Sequence, residues 1–217
     1  MARKTLRGIR VGVLATDGFE QLELTVPMKA LRKRGAQVDV ISLHEGKIRG
    51  MNLMYPGKKV PVDETVDRVR PKSFDALLIP GGFVNPDALR QSEEVLDFVR
   101  DFERLGRPIA TLCHGPWVLV SAGLVKGRRL ASWPGIKDDV RNAGGHWMDE
   151  PGVRDDRWFT SRGPHDMRHF LEGMVELFAE HAPRNHPEKA RSRWGRWLVA
   201  AVLGMVAIRP LRTALAR

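Results

Sequence analysis

The sequence predicts a doubly wound α/β domain, with a mostly parallel sheet and helices on both faces, followed by a basic, apolar C-terminal tail helix. Three observations lead there. Short apolar runs alternate with helical patterns in the order strand, helix, strand, which is the opening of a parallel βαβ unit. Several of those runs end in glycine-rich or tight turns, and the excess positive charge lies after residue 183. At 217 residues the chain accommodates one such domain with an appendage, and a domain of this size buries most of the apolar surface that its unfolded chain exposes.

The elements follow in order. Ile9 to Ala15 is a mostly apolar strand, and Asp17-Gly18 marks a turn. Leu22, Val26 and Met28 to Leu31 then recur at roughly helical spacing up to Gly35, a helix stop. Val38 to Leu43 is a second strand. Residues 44–72 combine turn residues with a β-rich stretch, Lys58 to Val62, and predict irregular structure or a small hairpin. Ala76 to Ile79 is a short buried strand closed by Pro80-Gly81-Gly82. A helix is expected from Ser92, its cap, to Leu105, with Gly106 ending it. Ile109 to Leu112 is the next strand and runs straight into Cys113. A short helix over Trp117 to Ala122, a helix near Ile136 to Ala143 with further strands, and an amphipathic helix from Asp166 to His181 complete the domain.

The division is therefore a domain over residues 1–183 and an Arg-rich linker with an apolar segment over 184–217. The formal charge of +10 is misleading until it is located. Residues 184–217 hold eight Lys/Arg against Glu188 alone, which leaves only +3 for residues 1–183. A nearly neutral domain gives no reason to expect a nucleic-acid partner. The tail carries 12 uncharged residues from Trp197 to Ile208, about 18 Å as a helix against a hydrocarbon core of about 30 Å, too short to span. Its flanking arginines and Trp194 fit a helix lying on an anionic membrane through residues 194–217; an oligomer helix or a disordered tail fits as well. With a single cysteine no disulfide forms within the chain, and the basic N-terminus leads into an apolar run too short for a signal peptide, so cytoplasm is the expected compartment.

The chemistry centres on Cys113. A lone cysteine is ordinarily a small buried hydrophobe, but here Cys113-His114-Gly115-Pro116 is a tight turn from a strand into a helix. That places the sulfur at the carboxyl end of a parallel strand beside a helix N-terminus, where ligands bind in open α/β sheets and where a thiolate is favoured. His114 is a base, an electrostatic partner or simply a surface histidine. Glu20, in Asp17-Gly18-Phe19-Glu20, is within reach of the same edge: protonated, it would donate a hydrogen bond to the thiolate; ionised, it would complement the helix dipole. Pro80-Gly81-Gly82 is either an ordinary turn or a place where backbone N–H groups approach an oxyanion. A thiol pKa below its reference of about 8.5 is the expectation from the helix end and Glu20. The histidines lack paired ligand spacing with a second cysteine, and no dinucleotide or phosphate-loop glycine pattern occurs, so neither metal nor cofactor is expected.

These pieces, taken with Phe74 to Gly82, Ala110 to Pro116, Ser132 to Asp139, Asn142 to Gly144 and Thr160 to Arg162, resemble the PfpI family of the class I glutamine-amidotransferase-like superfamily over Ile9 to Ala179. The resemblance implies a flavodoxin-like sandwich, Cys113 as nucleophile, His114 as the adjacent histidine, Glu20 as the acid on the sulfur, and an oxyanion hole from the backbone N–H groups of Gly82 and His114. It also implies a homo-oligomer in which an acid, Asp87 being the nearest equivalent, reaches the histidine of a neighbour. Two departures stand out. Trp133 replaces a common tyrosine, and an indole cannot exchange protons as a hydroxyl does. The late His-x-Glu pair of glutamine amidotransferases is missing from residues 1–183, which argues against glutamine hydrolysis. The implied function is a cysteine-dependent hydrolase or lyase in stress protection, of peptidase, glyoxalase or deglycase type, acting on small carbonyl compounds, glycated proteins or peptides. The alternative is a non-catalytic redox or stress sensor, or a chaperone, that uses an oxidisable Cys113.

Overall fold

A computed structural model describes residues 5–186; the expected tail helix and membrane-facing segment, residues 194–217, lie outside the described residues. The strands in chain order are β1 (Arg10–Leu14), β2 (Phe19–Glu20), β3 (Gln37–Ser42), β4 (Lys47–Asn52), β5 (Tyr55–Pro61), β6 (Glu64–Thr65), β7 (Ala76–Ile79), β8 (Ile109–Leu112), β9 (Arg129–Leu130), β10 (His146–Trp147), β11 (Val153–Asp155) and β12 (Trp158–Ser161). The α-helices are α1 (Gln21–Lys33), α2 (Val84–Leu89), α3 (Glu93–Arg104), α4 (Pro116–Ser121), α5 (Lys137–Asn142) and α6 (Met167–His181).

Seven strands form the central sheet in the order β11-β12-β8-β7-β1-β3-β6, parallel throughout except for β11, which runs antiparallel to β12. The chain moves outward from β1 to β3, then returns to the other side of β1 for β7, β8 and β12. This reversal is the switch point of a flavodoxin-like doubly wound sheet, and it brings the carboxyl ends of β1, β7 and β8 side by side. The expected strands and the longer helices are present.

Alternation along the strands divides the core into two layers. Val11 and Val13 of β1, Val38 and Val40 of β3, and Ala76 and Leu78 of β7 join Leu24, Met28 and Leu31 of α1 and Phe170, Met174, Leu177 and Phe178 of α6 on one face. Leu14, Ile41, Leu77 and Ile79 point the other way, onto Val95, Phe98, Val99 and Phe102 of α3 and Val118 and Leu119 of α4. α3 forms where expected because Ser92 caps it, its hydroxyl accepting the Val95 N–H at 3.3 Å. α6 lies close to the sheet because Gly173 lacks a side chain: a Cβ there would sit 2.1 Å from the Phe159 ring.

The small hairpin expected within residues 44–72 is β4–β5, and two features exceed the sequence reading: this hairpin pairs with β2 in a separate three-stranded sheet, and a further short helix, α2, is present. The hairpin turn carries Leu53 in the left-handed region at φ 56°. α2 follows the double glycine directly and contains Pro86; six residues are too few to display a helical period. At the amino ends of the strands, residues 184–186 fold back over the start of the domain. Arg184 donates to the carbonyls of Arg7 and Thr5, the His186 N–H to the carbonyl of Gly8, and Asn185 Nδ2 to the buried Asp75.

Candidate active site

Cys113 directly follows β8 and is the first residue of the turn into α4. Its φ of 58° is a left-handed conformation, uncommon for a residue with a Cβ and a mark of strain held by its surroundings. Both of its backbone groups are tied down: its N–H donates to the carbonyl of Ser161 at the end of β12 (3.1 Å), and its carbonyl accepts the Trp133 N–H (2.9 Å). Gly115 makes the turn possible, since a Cβ there would lie 2.3 Å from Thr111 Oγ1 and 2.7 Å from the carbonyl oxygen of Ile79. The cysteine is 6% exposed, so its sulfur meets solvent only narrowly.

The sulfur faces four partners. The backbone N–H groups of Gly82 and His114 hydrogen-bond it, as does the carboxyl of Glu23. The His114 ring supplies Nδ1 at 3.2 Å. Gly81, between these groups, cannot be larger, because a Cβ would come within 2.6 Å of Glu23 Oε2 and 2.7 Å of Cys113 Cβ. The double-glycine loop is fixed from beneath by Asn85 of α2, which is fully buried. Its Nδ2 donates to the carbonyls of Pro80 and Gly81 (2.9 and 3.0 Å), and its Oδ1 accepts the Thr16 N–H (2.7 Å) from the loop after β1.

The acid at the sulfur is Glu23, not Glu20. Glu20 ends β2 immediately before α1, and its Oε2 instead accepts the Leu53 N–H of the hairpin turn at 3.0 Å. Glu23, one helical turn on, is completely buried, and its Oε2 also accepts the Gly81 N–H at 2.8 Å. Its Oε1 has no hydrogen-bond partner of regular geometry among the described residues. The signal for Glu23 was in the sequence. The buried positions of α1 are 23, 24, 27, 28 and 31, a helical stripe in which a glutamate is the one ionisable member. Asn85 had no comparable signal.

Burial, ahead of every other influence, pushes the Glu23 carboxyl from an ordinary 4.5 up to about 8; the like charge of Glu20 adds to the rise, while the bonds from Cys113 and Gly81 oppose it. The thiol is also pushed up, first by burial and then by the Glu23 carboxylate, against the backbone N–H groups of Gly82 and His114. The lowered thiol pKa expected from the helix end is thus not the outcome. α4 has only six residues, and each of the two buried groups loses solvation on ionising, which disfavours both charged forms. Burial lowers the His114 pKa, so the ring is a neutral imidazole near pH 7.

Aromatic rings border the site. His114 stacks on Trp133 (centroids 6.0 Å, planes 25° apart), and Phe83 and Trp117 approach it edge-on or tilted at 5.3 and 5.2 Å. Asp87 is brought nowhere near the sulfur by a hydrogen bond within the chain: it lies exposed on α2, its carboxylate accepting from Gln91 Nε2 at 3.2 Å. His186-Pro187-Glu188 has the spacing of an amidotransferase pair, but His186 Nε2 sits 3.6 Å from Asp75 at the opposite edge of the sheet. Among the described residues no cluster of His, Cys, Asp and Glu is arranged to hold a metal ion.

A doubly wound sheet whose fifth parallel strand delivers a cysteine onto a left-handed turn, against two backbone donors and a buried acid, defines a flavodoxin-like α/β protein with a cysteine elbow. The chain belongs to the DJ-1/PfpI family, whose sequence model matches residues 9–177. It is 40% identical over 169 residues to "Deglycase TK1284" of Thermococcus kodakarensis, covering 78% of this chain and 99% of the relative. It is 41% identical over 173 residues to "Protein/nucleic acid deglycase 2" of Escherichia coli, covering 77% and 96%. A solved two-domain protein from Anabaena variabilis, with DJ-1/ThiJ/PfpI-like and ferritin-like domains, superposes with a TM-score of 0.74 at 29% identity; the match spans 90% of this chain and 55% of that one.

The raised Glu23 pKa has a consequence for stability. An acid raised on folding stabilises the fold fully below its unfolded value, near 4.5, and loses that contribution as pH rises through about 8. At about 1.4 kcal/mol per unit the loss is on the order of 5 kcal/mol. Urea unfolding between pH 5 and pH 9 should show stability falling across this window, and Glu23→Gln should flatten most of the fall.

Proposed function

We propose that the chain is a cysteine-dependent deglycase-type enzyme that removes small 2-oxoaldehyde adducts from protein amines. The observation carrying this reading is the placement of the Cys113 sulfur against the N–H groups of Gly82 and His114 and the Glu23 carboxyl; the deglycase names of the relatives support it. In the first step Sγ gives up its proton within the Glu23–His114 pair and forms a C–S bond to the aldehyde-derived carbon as its C–N bond breaks and the amine leaves with that proton. Hydrogen then moves from that carbon to its neighbour, giving a thioester, and water attacks the thioester carbonyl, whose oxyanion takes the two backbone hydrogen bonds before the C–S bond breaks and the thiol is restored. Over the whole reaction one water is consumed, and the free amine and a 2-hydroxy acid are released. The aldehyde-derived carbon is oxidised and its neighbour reduced, so no outside oxidant is required. A cysteine only 6% exposed, beside a His114 ring that Phe83 and Trp133 flank, favours a small carbonyl group over an extended peptide.

The test compares wild type with Cys113→Ala on methylglyoxal, a glycated peptide and a casein-type protein. Amine release from the glycated peptide should fall by at least about 10³-fold in the variant. Casein cleavage outpacing adduct removal would transfer the reading to a peptidase, and absence of turnover on all three would leave a redox sensor.

The reading includes a homo-oligomer in which Asp87 of one subunit approaches His114 of another. Its support is that Asp87 is exposed on α2, the helix that begins next to Phe83, whose ring lies against His114. Light scattering should give a dimer or larger, and Asp87→Asn should lower activity without shifting the melting temperature; a fully active monomer removes Asp87 from the site.

A peripheral contact of residues 194–217 with anionic lipid completes the reading, supported by their arginine-flanked apolar composition. Among the described residues no helix is long and apolar enough to cross a membrane. In vesicle flotation the full chain should bind anionic but not neutral liposomes, binding should weaken with salt, and truncation after Pro183 should abolish it.

A further inference from the structure

Pro80, Gly81 and Gly82 present two planar peptide units to the sulfur site, and each unit is held at both ends. In the first, the Gly81 N–H donates to Glu23 Oε2 at 2.8 Å, and the Pro80 carbonyl accepts from Asn85 Nδ2 at 2.9 Å. In the second, the Gly82 N–H bonds the Cys113 sulfur, and the Gly81 carbonyl accepts from Asn85 Nδ2 at 3.0 Å and from the Glu20 N–H at 3.3 Å. A trans peptide directs its N–H and its carbonyl to opposite sides. One side-chain nitrogen therefore holds, from behind, both N–H groups that face the chemistry.

We infer that Asn85 is a positioning residue that locks both peptide planes of the double-glycine loop and so keeps the Gly82 N–H aimed at the place where the oxyanion forms. The inference rests on the reading of Gly82 and His114 as the oxyanion donors. A lock is needed because the loop has no side chains of its own to resist rotation. Gly81 is confined to glycine by Glu23 Oε2, 2.6 Å from where a Cβ would stand, and Gly82, at φ 89°, by the Gly18 carbonyl oxygen at 2.4 Å; glycine turns its peptide planes more freely than any other residue. Only a neutral carboxamide meets the demand. Its nitrogen carries two hydrogens for the two carbonyls, while its oxygen takes the Thr16 N–H at 2.7 Å. A carboxylate would set an acceptor against two carbonyl oxygens, and an aliphatic side chain would leave the Thr16 N–H and the Pro80 carbonyl without this partner. Asn85 is fully buried and Thr16 is 4% exposed, so these bonds lie away from solvent. Val84, just before Asn85, packs on the same loop: a Cβ on Gly18 would lie 2.4 Å from Val84 Cβ.

The experiment compares wild type with Asn85→Asp, which keeps the shape and the oxygen for Thr16 and replaces the donor nitrogen by an acceptor. For steady-state release of 2-hydroxy acid from the glycated peptide, kcat should fall by about 10²- to 10³-fold, the loss that follows removal of one oxyanion donor, with KM nearly unchanged. Alkylation of Cys113 by iodoacetamide, a displacement that forms no oxyanion, should slow by no more than about tenfold. A merely structural role would lower the melting temperature and spare kcat, so a kcat within about twofold of wild type overturns the inference. Backbone-amide NMR decides the point even where no substrate turns over, which separates this inference from the deglycase reading. In wild type the N–H vectors of Gly81 and Gly82 should be as rigid as strand amides, with order parameters of about 0.85; values below about 0.6 overturn the lock, whatever the variant's folding. In Asn85→Asp the residual dipolar coupling of Gly82 should change while those of β1 and β8 hold, and an unchanged Gly82 coupling overturns the inference as well.

Discussion

The site depends on one strained residue. Cys113 turns the chain from β8 into α4 with a positive φ, and its neighbours are shaped around that conformation. Hydrogen bonds from Cys113 N–H to Ser161 and from Trp133 N–H to the Cys113 carbonyl hold it from two separate segments. Gly81 and Gly115 are each required to be small by atoms closer than 3 Å to where a Cβ would stand. The cost of a non-glycine residue in this region, of order 1–3 kcal/mol, is borne by the packing of three adjacent strand ends. In return the sulfur is held beside the N–H groups of Gly82 and His114.

Desolvation determines the protonation chemistry. Glu23 and Cys113 both resist ionisation because both are buried, yet each bonds the other. Burial favours the neutral form of each, and a carboxylate in contact with a thiolate would be costlier still. The neutral His114, stacked on Trp133, sets its Nδ1 3.2 Å from the sulfur. Trp133 takes part through its backbone and its ring face.

The two edges of the sheet serve different ends. The carboxyl edge gathers the loops after β1, β7 and β8 around the sulfur, with Asn85 tying the first two together. The amino edge is closed by Asp75, buried and bonded to the Arg10 N–H at 2.9 Å, onto which residues 185 and 186 converge. The described chain therefore ends at the edge away from the chemistry, and the last described histidine cannot complete a triad with the cysteine.

By itself the sequence determined what depends on near neighbours along the chain. The alternation of strands and helices, the Ser92 cap and the strand-to-helix turn at Cys113 are local, because periodicity, capping and turn formation involve residues a few positions apart. The pairing of the Gly82 and His114 N–H groups came instead from the resemblance to the PfpI family, which the double glycine and the cysteine turn, each at a strand end, carry. The tertiary structure decided which of two glutamates three residues apart faces the core. That depends on the rotation of α1 against the sheet, and Glu23 shares the buried stripe while Glu20 turns toward the hairpin. It also decided the brace at Asn85, which joins loops 69 residues apart, and the direction of the thiol shift. Solvation is a property of everything packed around a group, and only the folded chain supplies those surroundings.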